Sequence, residues 1–137
     1  ITRTVTEQDV QMFAAVSGDR NPVHLDADYA AGTAFKERIA HGMLSGALIS
    51  AAIALELPGP GSIYLGQQLT FNRPVKLGDS IEIQLEVLEK LPKNRVRIAT
   101  NIVNQQGKNV VQGEALVLAP SAEETIQLPP TPVFLQQ

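Results

Sequence analysis

A chain of 137 residues is the length of one domain, and such a domain buries roughly two thirds of the surface its unfolded form exposes. With 11 basic against 14 acidic residues, a net charge of −3 and no cysteine, it has no electrostatic footprint for nucleic acid, no disulfide and no thiolate metal site. The longest apolar stretch, residues 43–57, is broken by Ser45, Gly46, Ser50 and Glu56 and is short of the ~20 residues a membrane span needs.

No signal or transit peptide is visible, so a cytoplasmic location is the expectation. The chain starts at Ile1 and not Met, which leaves room for residues before it. Thr6-Glu7-Gln8-Asp9 resembles a capping box with Asp in its last place, and Val10, Phe13 and Ala14 follow at helical spacing. A helix over residues 7–16 is expected, ended by Gly18. Residues 20–38 read as irregular, with a turn or two of helix near 27–31, because Pro22 biases Asn21 away from helix. Residues 43–57 read as the main helix, with apolar and small side chains on every side, the mark of a buried helix. Pro58-Gly59-Pro60-Gly61 ends it.

Residues 62–119 read as strands. Ile63–Val75 is the first; Ile81, Ile83, Leu85 and Val87 alternate with polar neighbours in the next; Val96, Ile98 and Ile102 share a phase in the third; Val110–Leu118 is the last. Turn residues at 77–79, 92–94 and 106–108 space them as an antiparallel meander. One buried helix followed by long antiparallel strands predicts an α+β fold, a sheet wrapped around that helix, in a domain spanning residues 1–119. Such a sheet has edge strands, and pairing with a second subunit would cover one. Residues 120–137, rich in Pro, Glu and Gln, read as an extended tail or linker.

The densest polar stretch is Ser17-Gly18-Asp19-Arg20-Asn21-Pro22-Val23-His24-Leu25-Asp26. On a bent loop, Asp19 and His24 can converge on one water and share its protons as general acid and base. An imidazole suits that work near neutrality. The same spacing also describes a plain turn in which Asp19 and Asn21 cap backbone groups, so spacing alone leaves both readings open. Ala40-His41-Gly42-Met43 opens the main helix. Free N–H groups there suit an oxyanion, and Gly42 has no side chain to block its own. A helix-start glycine with His41 packed or capping is the simpler reading of that segment taken alone. No cluster of His, Asp and Glu shows metal-ligand spacing. Gly59-Pro60-Gly61-Ser62-Ile63-Tyr64 lacks the spacing of a dinucleotide loop and reads as a helix-to-strand turn.

Phe13-Ala14-Ala15-Val16-Ser17-Gly18-Asp19-Arg20-Asn21-Pro22-Val23-His24, with Ala30 beyond it, resembles the hydratase-2 motif of the MaoC-like, R-specific enoyl-CoA hydratases. Ile39-Ala40-His41-Gly42-Met43-Leu44 and Gly61-Ser62-Ile63-Tyr64-Leu65-Gly66-Gln67 resemble the family's next two segments, so the likeness runs over residues 5–119. The resemblance implies a hot-dog fold, usually dimeric. It implies syn addition of water to a trans-2-enoyl-CoA, giving an (R)-3-hydroxyacyl-CoA, without metal or redox cofactor. By the same resemblance Asp19 and His24 fall on the catalytic dyad, Asn21 on a supporting polar residue, the Gly42 N–H on the oxyanion donor and Ser62 on a residue near the dyad.

Two alternatives stand beside this reading. A hot-dog thioesterase would cleave the C–S bond and wants an acid on or beside the main helix, where Glu56 is the candidate. A non-catalytic acyl-thioester-binding domain would not need both Asp19 and His24. CoA phosphates would want a cation at the pocket mouth, from among Arg20, Lys36, Arg38, Arg73 and Lys76, whereas an acyl-carrier protein would present the same thioester without the nucleotide.

Overall fold

A computed structural model of the chain describes residues 1–121 and 126–134. The elements run β1 (Thr2–Thr4), α1 (Glu7–Ser17), α2 (Pro22–Leu25), α3 (Ala27–Ala31), α4 (Gly42–Leu55), β2 (Ile63–Phe71), β3 (Ser80–Leu91), β4 (Arg95–Asn104) and β5 (Asn109–Leu118). The strands form one antiparallel sheet in the order β1-β3-β4-β5-β2. Strand β2 follows α4 directly but pairs with β5, so the chain crosses the sheet before the meander β3-β4-β5 fills the middle. The concave face holds α4, which is the hot-dog arrangement.

The core forms where the period of the strands meets the period of the helix. Ile81, Ile83, Val96, Ile98, Ile102, Val111, Ala115 and Val117 point from the sheet onto Leu44, Ile49, Ala52 and Ile53 of α4, all buried. Burying one such side chain is worth about 1.5–3 kcal/mol. The expectation of a helix buried on every side is corrected: in one chain the sheet covers half of α4, and the opposite stripe, with Met43, Ala47, Ala51 and Leu55, lies open. Met43 is 59% exposed.

Local signals set the helix ends. Thr6 Oγ accepts from the Asp9 N–H at 3.1 Å while Asp9 Oδ2 accepts from the Thr6 N–H at 3.0 Å, the reciprocal box expected from the sequence. Arg3 Nη2 donates to the other Asp9 oxygen at 2.6 Å, which ties β1 to α1. Thr6→Ala is expected to lower stability by about 1 kcal/mol in a urea melt. Gly18 closes α1 at φ 79°.

Three expectations change. Thr2–Thr4 forms an edge strand too short to show alternation in sequence. Strand β2 ends at Phe71, not Val75, because Pro74 offers no N–H; the Ala40 N–H then bonds the Val75 carbonyl at 2.7 Å. Pro22–Leu25 is a helical turn where irregular chain was expected, since Pro22 occupies N1, the helical position that tolerates it. Residues 126–134 run without regular structure, while 122–125 and 135–137 lie outside the described residues.

Candidate active site

The loop after α1 is fixed by a relay of side-chain-to-backbone bonds. Ser17 Oγ accepts from the Asp19 N–H, Asp19 Oδ1 from the Asn21 N–H, and Asn21 Oδ1 from the Val23 N–H, each at 3.1 Å. Asn21 is thereby the N-cap of α2, the turn that carries His24. The turn reading of this segment is therefore correct, and it leaves room for the other. Capping uses one oxygen of Asp19. The second, Oδ2, faces Nε2 of His24 at 4.0 Å.

His24 is buried, and its Nδ1 lies 2.7 Å from the carbonyl oxygen of Ile39. A carbonyl only accepts, so Nδ1 carries the hydrogen, and Nε2 of the neutral ring presents a lone pair. A gap of 4.0 Å is too long for a direct hydrogen bond and suits a bridging water. With two ordinary contacts of about 2.8 Å, such a water subtends about 90° between the two acceptors, close to its own bond angle. It can donate one hydrogen to each and keep its lone pairs free.

His41 completes the cluster. It precedes Gly42 as the N-cap residue of α4, makes no side-chain cap bond, and is 3% exposed. Its Nε2 donates to the main-chain oxygen of Asp19 at 3.0 Å. Its ring lies 3.9 Å from that of His24, tilted by 31°, and Phe13 packs on it at 5.0 Å. Among the described residues its Nδ1 is the buried side-chain atom left without a hydrogen-bond partner. Of the two readings the sequence left for His41, packed or capping, the structure has the packed one. What the sequence did not show is the cluster: ligating atoms of Asp19, His24 and His41 lie within 4.8 Å of one another. The cause is non-local. The Ile39 N–H bonds the Val23 carbonyl at 3.3 Å, which folds the start of α4 back onto the loop.

Gly42 opens α4 beside a cavity of about 320 Å³ whose wall includes His41, Ser45, Phe71 and Arg73. The first N–H groups of a helix have no partner within it, so those of Gly42 and Met43 are available to an acceptor. A Cβ at Gly42 would stand 3.1–3.3 Å from ring carbons of Phe71. Gly42→Ala is expected to press that ring into the cavity and lower kcat/KM about tenfold, with little change in melting temperature. Steady-state kinetics beside a thermal melt checks it.

Ser62 is placed elsewhere. Its hydroxyl donates to the Gly59 carbonyl at 2.6 Å, in the turn beyond the far end of α4. A helix of 14 residues is about 21 Å long, so within one chain Ser62 is not brought to Asp19 and His24. Tyr64, on β2, donates its hydroxyl to Gln67 Oε1, and burial pushes its pKa up.

Residues 1–113 match the family described as MaoC like domain. The (R)-specific enoyl-CoA hydratase of Rhodospirillum rubrum is 42% identical over 121 residues, 88% of this chain and 84% of that one. The (R)-specific enoyl-CoA hydratase of Aeromonas caviae is 46% identical over 113 residues, 82% of this chain and 84% of that one. The solved structure of the R-hydratase PhaJ1 from Pseudomonas aeruginosa, unliganded, superposes with a TM-score of 0.86 at 68% identity, covering 97% of this chain and 88% of that one. On its sequence and its fold together, the chain belongs to the MaoC-like domain family.

Proposed function

We propose that this chain is an (R)-specific enoyl-CoA hydratase, adding water reversibly to a trans-2-enoyl-CoA to give an (R)-3-hydroxyacyl-CoA. The observation that carries the reading is the 4.0 Å gap between Asp19 Oδ2 and His24 Nε2, sized for one water and lying next to a helix start with free N–H groups. The hydratases it resembles along most of its length support the choice of substrate.

In the proposed mechanism the thioester carbonyl accepts from the Gly42 N–H, which draws electrons from the conjugated alkene and leaves C3 electrophilic. The water between Asp19 and His24 attacks C3 with a lone pair. One of its protons passes to the dyad, and a proton returns to C2 from the same face. Between these events the charge rests on the thioester oxygen, where a preorganised donor is worth about 3–4 kcal/mol. Asn21 supports the pair by capping the turn that holds His24. We propose that Asp19 and His24 work without a metal or redox cofactor, CoA being part of the substrate. The reading gives the space between Asp19 and His24 to a water, which needs only one bond to each group.

The proposed assembly is a homodimer. Strand β2 is an edge strand, with Ile63, Leu65 and Phe71 about half exposed, and the open stripe of α4 is apolar. A second copy covering both would remove the edge and could bring its Ser62 turn nearer the dyad. The proposed location is cytoplasmic; among the described residues no helix is long and apolar enough to cross a membrane.

The thioesterase reading is disfavoured by Glu56, which lies at the opposite end of α4 from Gly42. Crotonyl-CoA separates the readings. Hydration removes the conjugated-enoyl absorbance without releasing thiol, hydrolysis releases thiol, and a binding domain does neither. The first outcome is expected; thiol release at the same rate as absorbance loss would replace this reading with the thioesterase.

A further inference from the structure

Ser45 is the buried polar residue of α4 that the proposed mechanism leaves idle. It lies one turn beyond Gly42, and residues three apart on a helix share a face. It is 4% exposed and lines the same cavity of about 320 Å³ as Gly42. Among the described residues its hydroxyl makes no hydrogen bond, and its oxygen is not fully enclosed, as His41 Nδ1 is. The hydroxyl therefore meets the open space of the cavity. A serine inside a helix ordinarily returns its hydrogen to a carbonyl one turn back. Here the His41 carbonyl takes the Leu44 N–H at 3.1 Å, and the serine is left free. The Cα–Cβ bond of a helical residue tilts toward the N-terminus, so Ser45 reaches back over the first turn, where the Gly42 and Met43 N–H groups are unpartnered. A buried hydroxyl without a partner weakens a fold, and an incoming acceptor would recover that loss. The other polar side chains of the wall suit a carbonyl oxygen less. His41 Nδ1 offers a lone pair, because its hydrogen sits on Nε2 and bonds Asp19. Asn72 Nδ2 donates to Asn109 Oδ1 at 2.7 Å and Arg73 Nη1 to the Asn109 carbonyl at 2.8 Å, so both are tied to the start of β5.

We propose that the Ser45 hydroxyl is a second donor to the thioester oxygen, acting beside the Gly42 N–H on the enolate that forms before C2 is protonated. The assignment rests on the hydratase reading of this cavity. An enolate oxygen has lone pairs for two donors and accepts more strongly than the carbonyl it came from. No bond is made or broken at Ser45, whose hydrogen stays on its own oxygen throughout.

The test uses the full chain as wild type, Ser45→Ala and Ser45→Thr. Ser45→Ala is expected to lower kcat for crotonyl-CoA about a hundredfold with KM little changed, since a donor stronger on the enolate acts on the chemical step. Its melting temperature should equal or exceed that of the wild type, because alanine suits a helix and leaves no unpaired hydroxyl. Ser45→Thr keeps the hydroxyl and should recover most of the rate. A second readout needs no turnover. Acetoacetyl-CoA, which ionises to an enolate, is titrated into each form while the enolate absorbance is followed. The enolate-to-keto ratio of the bound compound should be about tenfold lower in Ser45→Ala than in the wild type or Ser45→Thr. Full activity in Ser45→Ala, or an unchanged enolate ratio, overturns the proposal. A rise in KM at constant kcat also overturns it, by making Ser45 a uniform binder of substrate. Equal losses in the Ala and Thr forms overturn it too, because the size of the side chain would then matter and not its hydroxyl. An enolate ratio that depends on Ser45 in a wild type that hydrates nothing would sink the hydratase reading and leave the donor assignment standing.

Discussion

Asp19→Asn is expected to lower kcat for crotonyl-CoA hydration by roughly 10²–10⁴-fold while the melting temperature stays near that of the wild type. The substitution is nearly isosteric. An Asn side chain can still present an oxygen to the Asn21 N–H, so the loop keeps its cap. What changes is the other arm, the one facing Nε2 of His24 at 4.0 Å. There an amide NH2 donates where a carboxylate accepted, and the water loses one of the two acceptors that orient its lone pairs. His24→Gln should fall in the same range, because it removes the lone pair on Nε2 together with the anchor to Ile39. The double variant should fall little further than either single one, since groups that hold one water act as a unit and their losses do not add. Progress curves from the three variants, read against circular dichroism, decide the matter. Full activity in Asp19→Asn would remove the dyad from the mechanism, and additive losses would mean that the two residues act at separate steps.

The largest effect on stability is expected at Gly113, far from the chemistry. It sits on β5 opposite Leu69 of β2, and a Cβ there would collide with the main-chain oxygen of Gln68 and crowd Leu69. Neither a carbonyl nor a paired strand can swing aside as a side-chain tip does. The empty position also lets Gln67 reach across β5: its Nε2 donates to Thr100 Oγ1 on β4 at 2.9 Å, to the Glu114 carbonyl at 3.1 Å and to the Gln68 carbonyl at 2.9 Å. Thr100 is fully buried, so its hydroxyl needs that partner. Gly113→Ala is expected to cost about 3 kcal/mol or more, a fall in melting temperature on the order of 10 °C. Gly66→Ala serves as the comparison, because a Cβ at Gly66 meets nothing within 4 Å. A Gly113→Ala melt within a degree or so of that control would mean that β2 can shift on β5 at little cost.

Much of this was legible in the chain, for physical reasons that differ by region. The capping box at Thr6, the stop at Gly18 and the meander from β3 to β5 rest on near neighbours, and near neighbours are what a sequence displays. The Asp19 loop was legible in part. Its turn chemistry follows from spacing, but spacing left its two readings apart, and in the structure one oxygen of the carboxylate caps Asn21 while the other faces His24. His41 was not legible as a member of the cluster. It meets His24 only because residues 39–41 double back onto α2, a contact with no local pattern. Helix α4 misled in an instructive way. Its apolar residues on every side predict full burial, and a single chain buries one face. Ser62 illustrates the limit of carrying a role along a motif, since neighbours in a family segment need not be neighbours in one protomer.

The edge strand β1 has a bearing on how the protein should be handled. Arg3, one of its three residues, grips Asp9 and so steadies α1, and α1 in turn sets Phe13 against the His41 ring. Residues 2–4 are therefore a footing for the imidazole pair, reached through one helix from the rim of the sheet. Trimming them would loosen that footing from a place outside the pocket.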